Sequence, residues 1–211
     1  LVSFLDGQLF STFKKVIRKS PTIGSKPPKG AIVLFDGTSA GNFKPGKMSE
    51  DHLLMQGANS IQRFQSHKLH IEFLLPYKPK ARGQGRGNSG FYTACGKEIQ
   101  VLDSFGMTTY LGGGCGGLYR FKDPDTMEPI PSLTGKKENV FNLAALPPLQ
   151  WQAYDVEYRV KPGKPKGHLT VYHNGIKIHD AVELNHRAGG FHFQDHGNPV
   201  RYRNIWVLER K

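Results

Sequence analysis

QAYDVEYRV, residues 152–160, is the stretch that decides the fold class of this chain of 211 residues. Its apolar and polar side chains alternate with a period of two, which is the pattern of a β-strand with one buried face. Farther along, Leu169 and Val171 alternate in the same way and lead into Asn174-Gly175, the strongest short-range signal for a β-hairpin. These two features predict neighbouring antiparallel strands.

Short strand patterns separated by turn residues recur along the rest of the chain, except in residues 103–150, which are predicted to be mostly irregular and include the glycine-rich stretch 112–117. The predicted strands are 31–35, 69–75, 89–94, 98–102, 176–178, 191–193 and 200–208. The chain has 25 glycines and 14 prolines, which favour turns over helices, and no helix is predicted after residue 30. The sequence therefore predicts an all-β protein, either a β-sandwich or a jelly roll.

The first thirty residues differ from the rest and are predicted to form a lead-in or strap, residues 1–30, before a single domain, residues 31–211. Phe10, Phe13 and Val16 have rough helical spacing among lysines, which indicates a short amphipathic helix. Residues 21–30 are rich in proline and glycine, which is typical of a linker or strap.

The charge and the apolar content of the chain limit the classes of molecule that it is predicted to bind. The chain carries 29 Lys and Arg against 17 Asp and Glu, a formal net charge of +12. Much of this excess lies in the lead-in and in the Gly/Pro-rich stretches 78–86 and 161–166. Solvated basic loops are therefore favoured over a nucleic-acid or other polyanion surface. No apolar run approaches roughly 18 residues, so no membrane span is predicted.

Cys95 and Cys115 are the two cysteines of the chain, so a single disulfide is the one intramolecular pairing available. It would close a loop of about 20 residues and stabilise the fold by roughly 3 kcal/mol. Two cysteines alone do not decide whether the bond forms.

The candidate site comes from polar residues on one face of the predicted strands. Glu98 and Gln100 alternate with Ile99 and Val101, so an apolar face in the core leaves the carboxylate and the amide together on the other face. Such a pair suits sugar recognition or general base catalysis, or is an ordinary exposed polar face.

The same alternation collects polar side chains from other strand segments. The set is Asn88, Tyr92, Glu98, Gln100, His192, Gln194, Arg201 and Arg203, with Asp195 and His196 at a strand end. Amide, Arg, His and Tyr side chains suit the recognition of sugar hydroxyls, provided that these strands share a sheet.

Motifs for metals, nucleotides and nucleophiles are weak. His67 and His70 lack matching carboxylate or cysteine ligands, and Asp123 with Asp125 is at best a Ca²⁺ candidate in a loop. Two Gly-x-Gly-x-x-Gly matches, in the range 85–117, are not followed by helical sequence and so predict no dinucleotide site. The Gly-x-Ser-x-Gly match at residues 37–41 is not followed by helical sequence, so no nucleophile elbow is predicted.

Seven motifs, taken in order, point to one known family. They are LFDGT (34–38), GNSGFY (87–92), EIQVLD (98–103), PLQWQAYD (148–155), HNG (173–175), QDHGNPV (194–200) and RNIW (203–206). Together they resemble the 3-keto-disaccharide hydrolase domain family, over about residues 31–211.

The resemblance implies a concanavalin A-like jelly roll of two antiparallel sheets, one of them concave and facing a sugar. It also implies an extracytoplasmic bacterial protein, periplasmic or secreted, with a carbohydrate substrate. The residues that it would bring to the cleft are Asn88, Glu98, Gln100, Gln194, Asp195, His196 and Arg203.

The expected chemistry follows from a missing carboxylate. Laminarinase-like enzymes on a related fold carry Glu, Asp and Glu at alternate strand positions, and here these read Glu98, Gln100 and Leu102. A retaining glycosidase needs two carboxyl groups about 5–5.5 Å apart, so ordinary double displacement is disfavoured. A sugar oxidised at C3 offers elimination and hydration instead.

In that scheme Glu98 or His196 is the base, and Arg203 or a bound divalent cation such as Ca²⁺ stabilises the enolate. Asn88, Gln100 and Gln194 would orient hydroxyl groups. Tyr92, Asp195 and Arg201 complete the predicted substrate-binding set. Two alternatives remain open: a non-catalytic carbohydrate-binding module on the same fold, and a polyanion-binding surface protein.

Overall fold

The structure of the protein is a computed structural model that describes residues 2–12, 18–107, 109–126, 129–131, 137–139 and 142–210. These residues form β-strands, one short 3-10 turn (Gly83–Gly85) and no α-helix. The strands are β1 (Val2–Leu5), β2 (Gln8–Thr12), β3 (Ile32–Phe35), β4 (Leu54–Met55), β5 (Ala58–Asn59), β6 (His67–Leu74), β7 (Asn88–Tyr92), β8 (Glu98–Leu102), β9 (Pro129–Pro131), β10 (Lys137–Asn139), β11 (Trp151–Val160), β12 (Lys166–His173), β13 (Ile176–Asn185), β14 (His192–Phe193) and β15 (Arg201–Glu209).

Two antiparallel sheets make up the domain. The larger has seven strands in the order β13-β12-β11-β6-β15-β3, with β4 paired to β15. The smaller has four strands in the order β5-β14-β7-β8. Two further hairpins, β1–β2 and β9–β10, pair only within themselves in the described residues. This architecture confirms the predicted all-β jelly-roll sandwich of two antiparallel sheets.

The alternation in the sequence becomes the division between core and surface. In β6, Leu69, Ile71 and Phe73 are fully buried in the hydrophobic core. Along β11, Tyr154 and Val156 point into the same core. The predicted β12–β13 hairpin is confirmed, since Asn174 and Gly175 both have positive φ (51° and 79°), as a two-residue primed turn requires.

Aromatic rings join the two sheets. The ring of Phe193, in β14 of the smaller sheet, lies 4.7 Å from that of Tyr202, in β15 of the larger sheet. It also lies 5.3 Å from the ring of Phe91 and 5.7 Å from that of Phe43. Phe193 therefore contacts both layers of the core.

Residues 18–30 lie across the outer face of the larger sheet. The Gly24 N–H donates to Glu72 Oε1 (2.6 Å), and the Ser25 carbonyl accepts from Asn204 Nδ2 (3.0 Å) and Trp206 Nε1 (3.1 Å). The short helix expected around Phe10 is not found, because Gln8–Thr12 is strand β2; residues 13–17 lie outside the described residues.

The two cysteines are both free and buried. Cys115 Sγ lies 3.3 Å from the Tyr154 hydroxyl, and Cys95 Sγ lies 3.1 Å from Thr93 Oγ1. Each thiol thus has a hydroxyl neighbour of its own in the interior.

Replacing Phe193 by alanine should be strongly destabilising, because the change opens a cavity where the two sheets meet. We expect a loss of about 3–5 kcal/mol in the free energy of unfolding, measured by urea denaturation. The control is Ile176→Ala at an exposed position of β13, which should change stability by less than about 0.5 kcal/mol. Equal effects of the two substitutions would contradict this role of Phe193.

Candidate active site

The pairing of β7 with β8 creates the polar surface. Tyr92 lies opposite Glu98, and Gly90 lies opposite Gln100. Directly opposed residues in an antiparallel pair point to the same face. The alternate residue Ile99 is fully buried in the core, so Glu98 and Gln100 point away from it. A Cβ at Gly90 would overlap Glu98 Oε1, so the glycine provides the space that this carboxylate occupies.

A pocket of about 280 Å³ lies over this surface. It is lined by Gln84, Asn88, Tyr92, Glu98, Gln100, Tyr119, Gln194 and His196. Six residues that the sequence analysis selected for one cleft are therefore brought together, although β14 and β7 are about 100 positions apart in the chain.

The segment after β14 is fixed to β7, which explains how Gln194 and His196 reach the pocket. The Gln194 N–H donates to the Gly90 carbonyl (2.8 Å), and Ser89 Oγ donates to the Gln194 carbonyl (2.7 Å). Asp195 Oδ1 then accepts from the Gly197 N–H (2.9 Å) and closes a tight turn. That turn holds His196 exposed at the rim.

Gln84 orients the two amides on the pocket floor. Its Oε1 accepts from Asn88 Nδ2 (3.1 Å) and Gln100 Nε2 (2.8 Å), while its own Nε2 donates to the Gly113 carbonyl (3.0 Å). Asn88 Oδ1 and Gln100 Oε1 are buried and have no hydrogen-bond partner among the residues that the structure describes. Two amide oxygens are thus available as acceptors for hydroxyl groups.

Glu98 is a carboxylate held in a protected environment. Burial raises the pKa of its carboxyl group, although a hydrogen bond from Tyr92 and the charges of Lys97 and His196 act in the opposite direction. Burial, together with the neighbouring Glu98, raises the pKa of Tyr92 to about 12, so the phenol stays protonated. The Tyr92 hydroxyl also accepts a long hydrogen bond from Gln194 Nε2 (3.5 Å). A buried carboxylate with a raised pKa is a stronger base than an exposed one, and so suits proton transfer.

Arg203 and Arg201 are not among the residues that line this pocket. The reason is that β15 belongs to the larger sheet, between β6 and β3, and not to the sheet of Glu98. Arg203 Nε donates to Glu72 Oε2 (2.7 Å), and its guanidinium lies 3.9 Å from the centre of the Trp151 ring. Arg201 donates to Gln56 Oε1 (2.8 Å). The alternation predicts the two faces of β15 but does not show to which sheet this strand belongs.

The outer face of the larger sheet holds its own network of charges. Burial opposes ionisation of Glu72, but hydrogen bonds from His70, Asn204, the Gly24 N–H and Arg203 outweigh it and lower the pKa of the carboxyl to about 2. His70 Nδ1 also contacts Asp155 Oδ1 at 2.8 Å. Arg203 therefore neutralises a buried carboxylate.

The weak metal motifs do not converge in the structure. His67 packs among core rings, 5.1 Å from that of Phe191, whereas His70 stacks on Trp206 of the outer face. Asp123 accepts from the Gly112 N–H (2.7 Å), and Asp125 pairs with Lys122. The described residues contain no group of three or more His, Cys, Asp or Glu side chains placed to hold a metal ion. In the same residues, no helix could span a membrane.

Gln84 and Tyr119 are pocket residues that the sequence analysis missed. Gln84 lies in the basic loop 78–86, which was assigned to solvent, and its contacts are 4 and 16 positions away. Tyr119 follows the glycine-rich stretch 112–117, which was read only as irregular. Neither belongs to an alternating strand, so no periodic signal marks them.

The fold and this pocket define a carbohydrate-active protein of the jelly-roll class. The chain matches the family model of the 3-keto-alpha-glucoside-1,2-lyase-like domain over residues 30–208, and it belongs to that family. This confirms the resemblance read from the motifs. No curated protein matches the chain.

Crystal structures of three proteins from Parabacteroides distasonis ATCC 8503, each described as a candidate glycosyl hydrolase, are similar to this one. One is 27% identical with a TM-score of 0.69, covering 87% of this chain and 85% of its own. The second is 17% identical with a TM-score of 0.52, covering 86% and 95%. The third is 16% identical with a TM-score of 0.58, covering 85% and 99%. The last two support the fold alone.

Replacing Gln84 by methionine removes the acceptor shared by two buried amides. We expect a loss of about 1–3 kcal/mol in the free energy of unfolding, since Gln100 Nε2 would lose its acceptor, whereas Asn88 Nδ2 keeps its bond to the Gln84 carbonyl (3.0 Å). Gln84→Glu keeps an acceptor oxygen at the same place, and below the ordinary carboxyl pKa its O–H can still donate to the Gly113 carbonyl, so at that pH it should lose less. Urea denaturation of both variants measures the difference, and equal losses would refute the shared-acceptor role.

Glu98→Gln should make stability less dependent on pH. A raised carboxyl pKa means that the native state holds a proton which the unfolded chain has released, so this group disfavours folding as pH rises above the ordinary carboxyl range. The variant should therefore gain stability relative to wild type between about pH 4 and about pH 7. Denaturation curves across this range test it, with Glu183→Gln on the exposed face of β13 as control. A constant difference between Glu98→Gln and wild type would count against the raised pKa.

Proposed function

We propose that the protein cleaves the glycosidic bond of 3-keto-glycosides by elimination followed by hydration. The observation that carries the proposal is a pocket with one buried carboxylate, Glu98, surrounded by amides, two phenols and a histidine. Among the described residues that line the pocket there is no second carboxylate with which to form a glycosyl-enzyme intermediate. The family of the domain and its structural relatives support action on glycosides.

The C3 carbonyl of the substrate acidifies the proton on C2, and the Glu98 carboxylate removes it. The electron pair of that C–H bond forms the enolate, then a C1–C2 double bond as the glycosidic oxygen leaves C1. His196, exposed at the rim, donates a proton to the leaving oxygen. Water then adds to C1, and C2 takes up a proton, which completes a net hydrolysis.

The enolate oxygen needs a hydrogen-bond donor, and Gln194 is the one that this pocket offers best. In the described part of the chain, the hydrogen bond found for its Nε2 is the long one to the Tyr92 hydroxyl (3.5 Å), so this amide can turn to the substrate. An amide donor that points to a developing oxyanion stabilises it. Asn88 and Gln100, held by Gln84, accept hydrogen bonds from the remaining sugar hydroxyls.

The test is release of a chromogenic leaving group from a 3-keto-glucoside and from its unoxidised parent. We expect release from the keto sugar alone, and Glu98→Gln should lower kcat by about 10²–10⁴-fold. Glu183→Gln, an exposed carboxylate paired with Lys166, is the matched control and should keep full activity. Full activity of Glu98→Gln, or release from the parent sugar, would refute the elimination scheme.

The same assay after dialysis against EDTA examines the metal alternative. The scheme uses only side chains of the chain itself, so turnover should persist without added cation. Loss of turnover that Ca²⁺ restores would transfer enolate stabilisation from Gln194 to a metal ion.

A second candidate function is a non-catalytic carbohydrate-binding module. The four amide side chains that line the pocket favour it, because amides can bind sugar hydroxyl groups without catalysing a reaction. Sugar binding with no release from either substrate would establish this function instead.

A further inference from the structure

Large apolar side chains are exposed beside the pocket. Tyr110 is 45% exposed and Phe121 is 49% exposed. Together with Tyr119, Arg120 and Lys97 they form a surface that we call the aromatic shelf. Exposed apolar residues are ordinary when scattered, but a cluster at the mouth of a pocket marks a binding surface.

Hydrogen bonds make the shelf continuous with the pocket. Tyr119 lines the pocket, and its hydroxyl lies 3.0 Å from the Tyr110 hydroxyl, with the two rings edge to face at 6.0 Å. Lys97, the neighbour of Glu98 in sequence, donates to the Tyr119 carbonyl (3.1 Å). Its Nζ lies 4.6 Å from the centre of the Phe121 ring.

The backbone holds the shelf in place next to the carboxylate. Leu118 forms isolated bridges to Ile99, in the strand of Glu98, and to Lys122. The Tyr119 N–H donates to the Glu98 carbonyl (3.1 Å). The shelf is therefore attached to β8 and is ready-formed beside Glu98, which lowers the cost of ordering it on binding.

The size of the pocket indicates what the shelf is for. At about 280 Å³ the pocket is at the small end of ligand sites, and the rest of a larger glycoside must lie outside it. The cationic group of Arg120 lies 5.5 Å from the centre of the Tyr119 ring, so the shelf also offers a planar guanidinium for stacking. Rings with an apolar face are the ligands that such a surface holds.

We propose that the aromatic shelf binds the ring on the leaving-group side of the substrate, while the oxidised sugar occupies the pocket. This rests on the proposed function, since it needs a glycoside whose scissile bond lies at Glu98. The shelf would then select among 3-keto-glycosides by the ring of the aglycone, whether that ring is a second sugar or an aromatic group.

The experiment compares three 3-keto-glucosides that differ in the aglycone: methyl, glucosyl and 4-nitrophenyl. Wild type is measured beside Phe121→Ala, Tyr110→Ala, Tyr110→Phe and the distant control Ile176→Ala. Taking the ratio of variant to wild type for each substrate cancels the intrinsic reactivity of the leaving group.

Phe121→Ala and Tyr110→Ala should each lose roughly two- to tenfold in kcat/KM on the ring-bearing substrates, and clearly less on the methyl glycoside. Tyr110→Phe keeps the ring and should retain most of the activity. A loss with both ring aglycones supports a general ring site, and a loss with 4-nitrophenyl alone narrows it to aromatic aglycones. Equal losses on all three substrates, or no loss on any of them, would overturn the proposal that the shelf binds the aglycone ring.

If wild type turns over none of these substrates, the proposed function fails. The role of the shelf in holding a ring is then tested by measuring binding. Titration of unoxidised methyl and 4-nitrophenyl glucosides then supplies the readout. Tighter binding of the 4-nitrophenyl glucoside that Phe121→Ala abolishes supports the shelf, and equal affinities for the two glucosides overturn it.

Discussion

The antiparallel register of β7 and β8 is the constraint on which the site depends. Glu98 and Gln100 point outward only because Ile99 and Val101, the residues between them, are fully buried in the core. A slip of one residue would exchange the two sets, placing a carboxylate and an amide in the interior. Hydrophobic burial thus determines the direction of the polar groups. Gly90, on the partner strand, leaves the room that Glu98 needs.

Local strand patterns were predictable, because alternation records which face of a strand meets the core. Strand β8 was predicted at its observed bounds, and the β12–β13 hairpin follows from Asn174-Gly175. The same alternation predicts a shared polar face for four residues that do line the pocket: Asn88, Tyr92, Glu98 and Gln100. Alternation does not show to which sheet a strand belongs. For this reason it could not show that Arg203, in β15, lies on the larger sheet and away from the pocket.

Contacts outside the strands could not be predicted for a related reason. Gln84 enters the site through a loop whose composition is typical of solvated surface, and its role depends on distances of 2.8–3.1 Å to side chains on two strands. Tyr119 depends in the same way on the bridge of Leu118 to β8. Such contacts depend on the assembled fold, and loop sequence has no period that reports them.

The start of the domain differs according to whether it is defined by family similarity or by the contacts of residues 18–30 with the larger sheet. Similarity to the family begins at residue 30. Before that point, the Gly24 N–H donates to Glu72, and the Ser25 carbonyl accepts from Asn204 and Trp206. A fragment cut where similarity begins would open one side of the Glu72 carboxylate to water and leave the Trp206 indole without its acceptor. The residues that form these contacts therefore extend beyond the range of the family match, residues 30–208. A domain moved into another protein would need the segment before residue 30 as well.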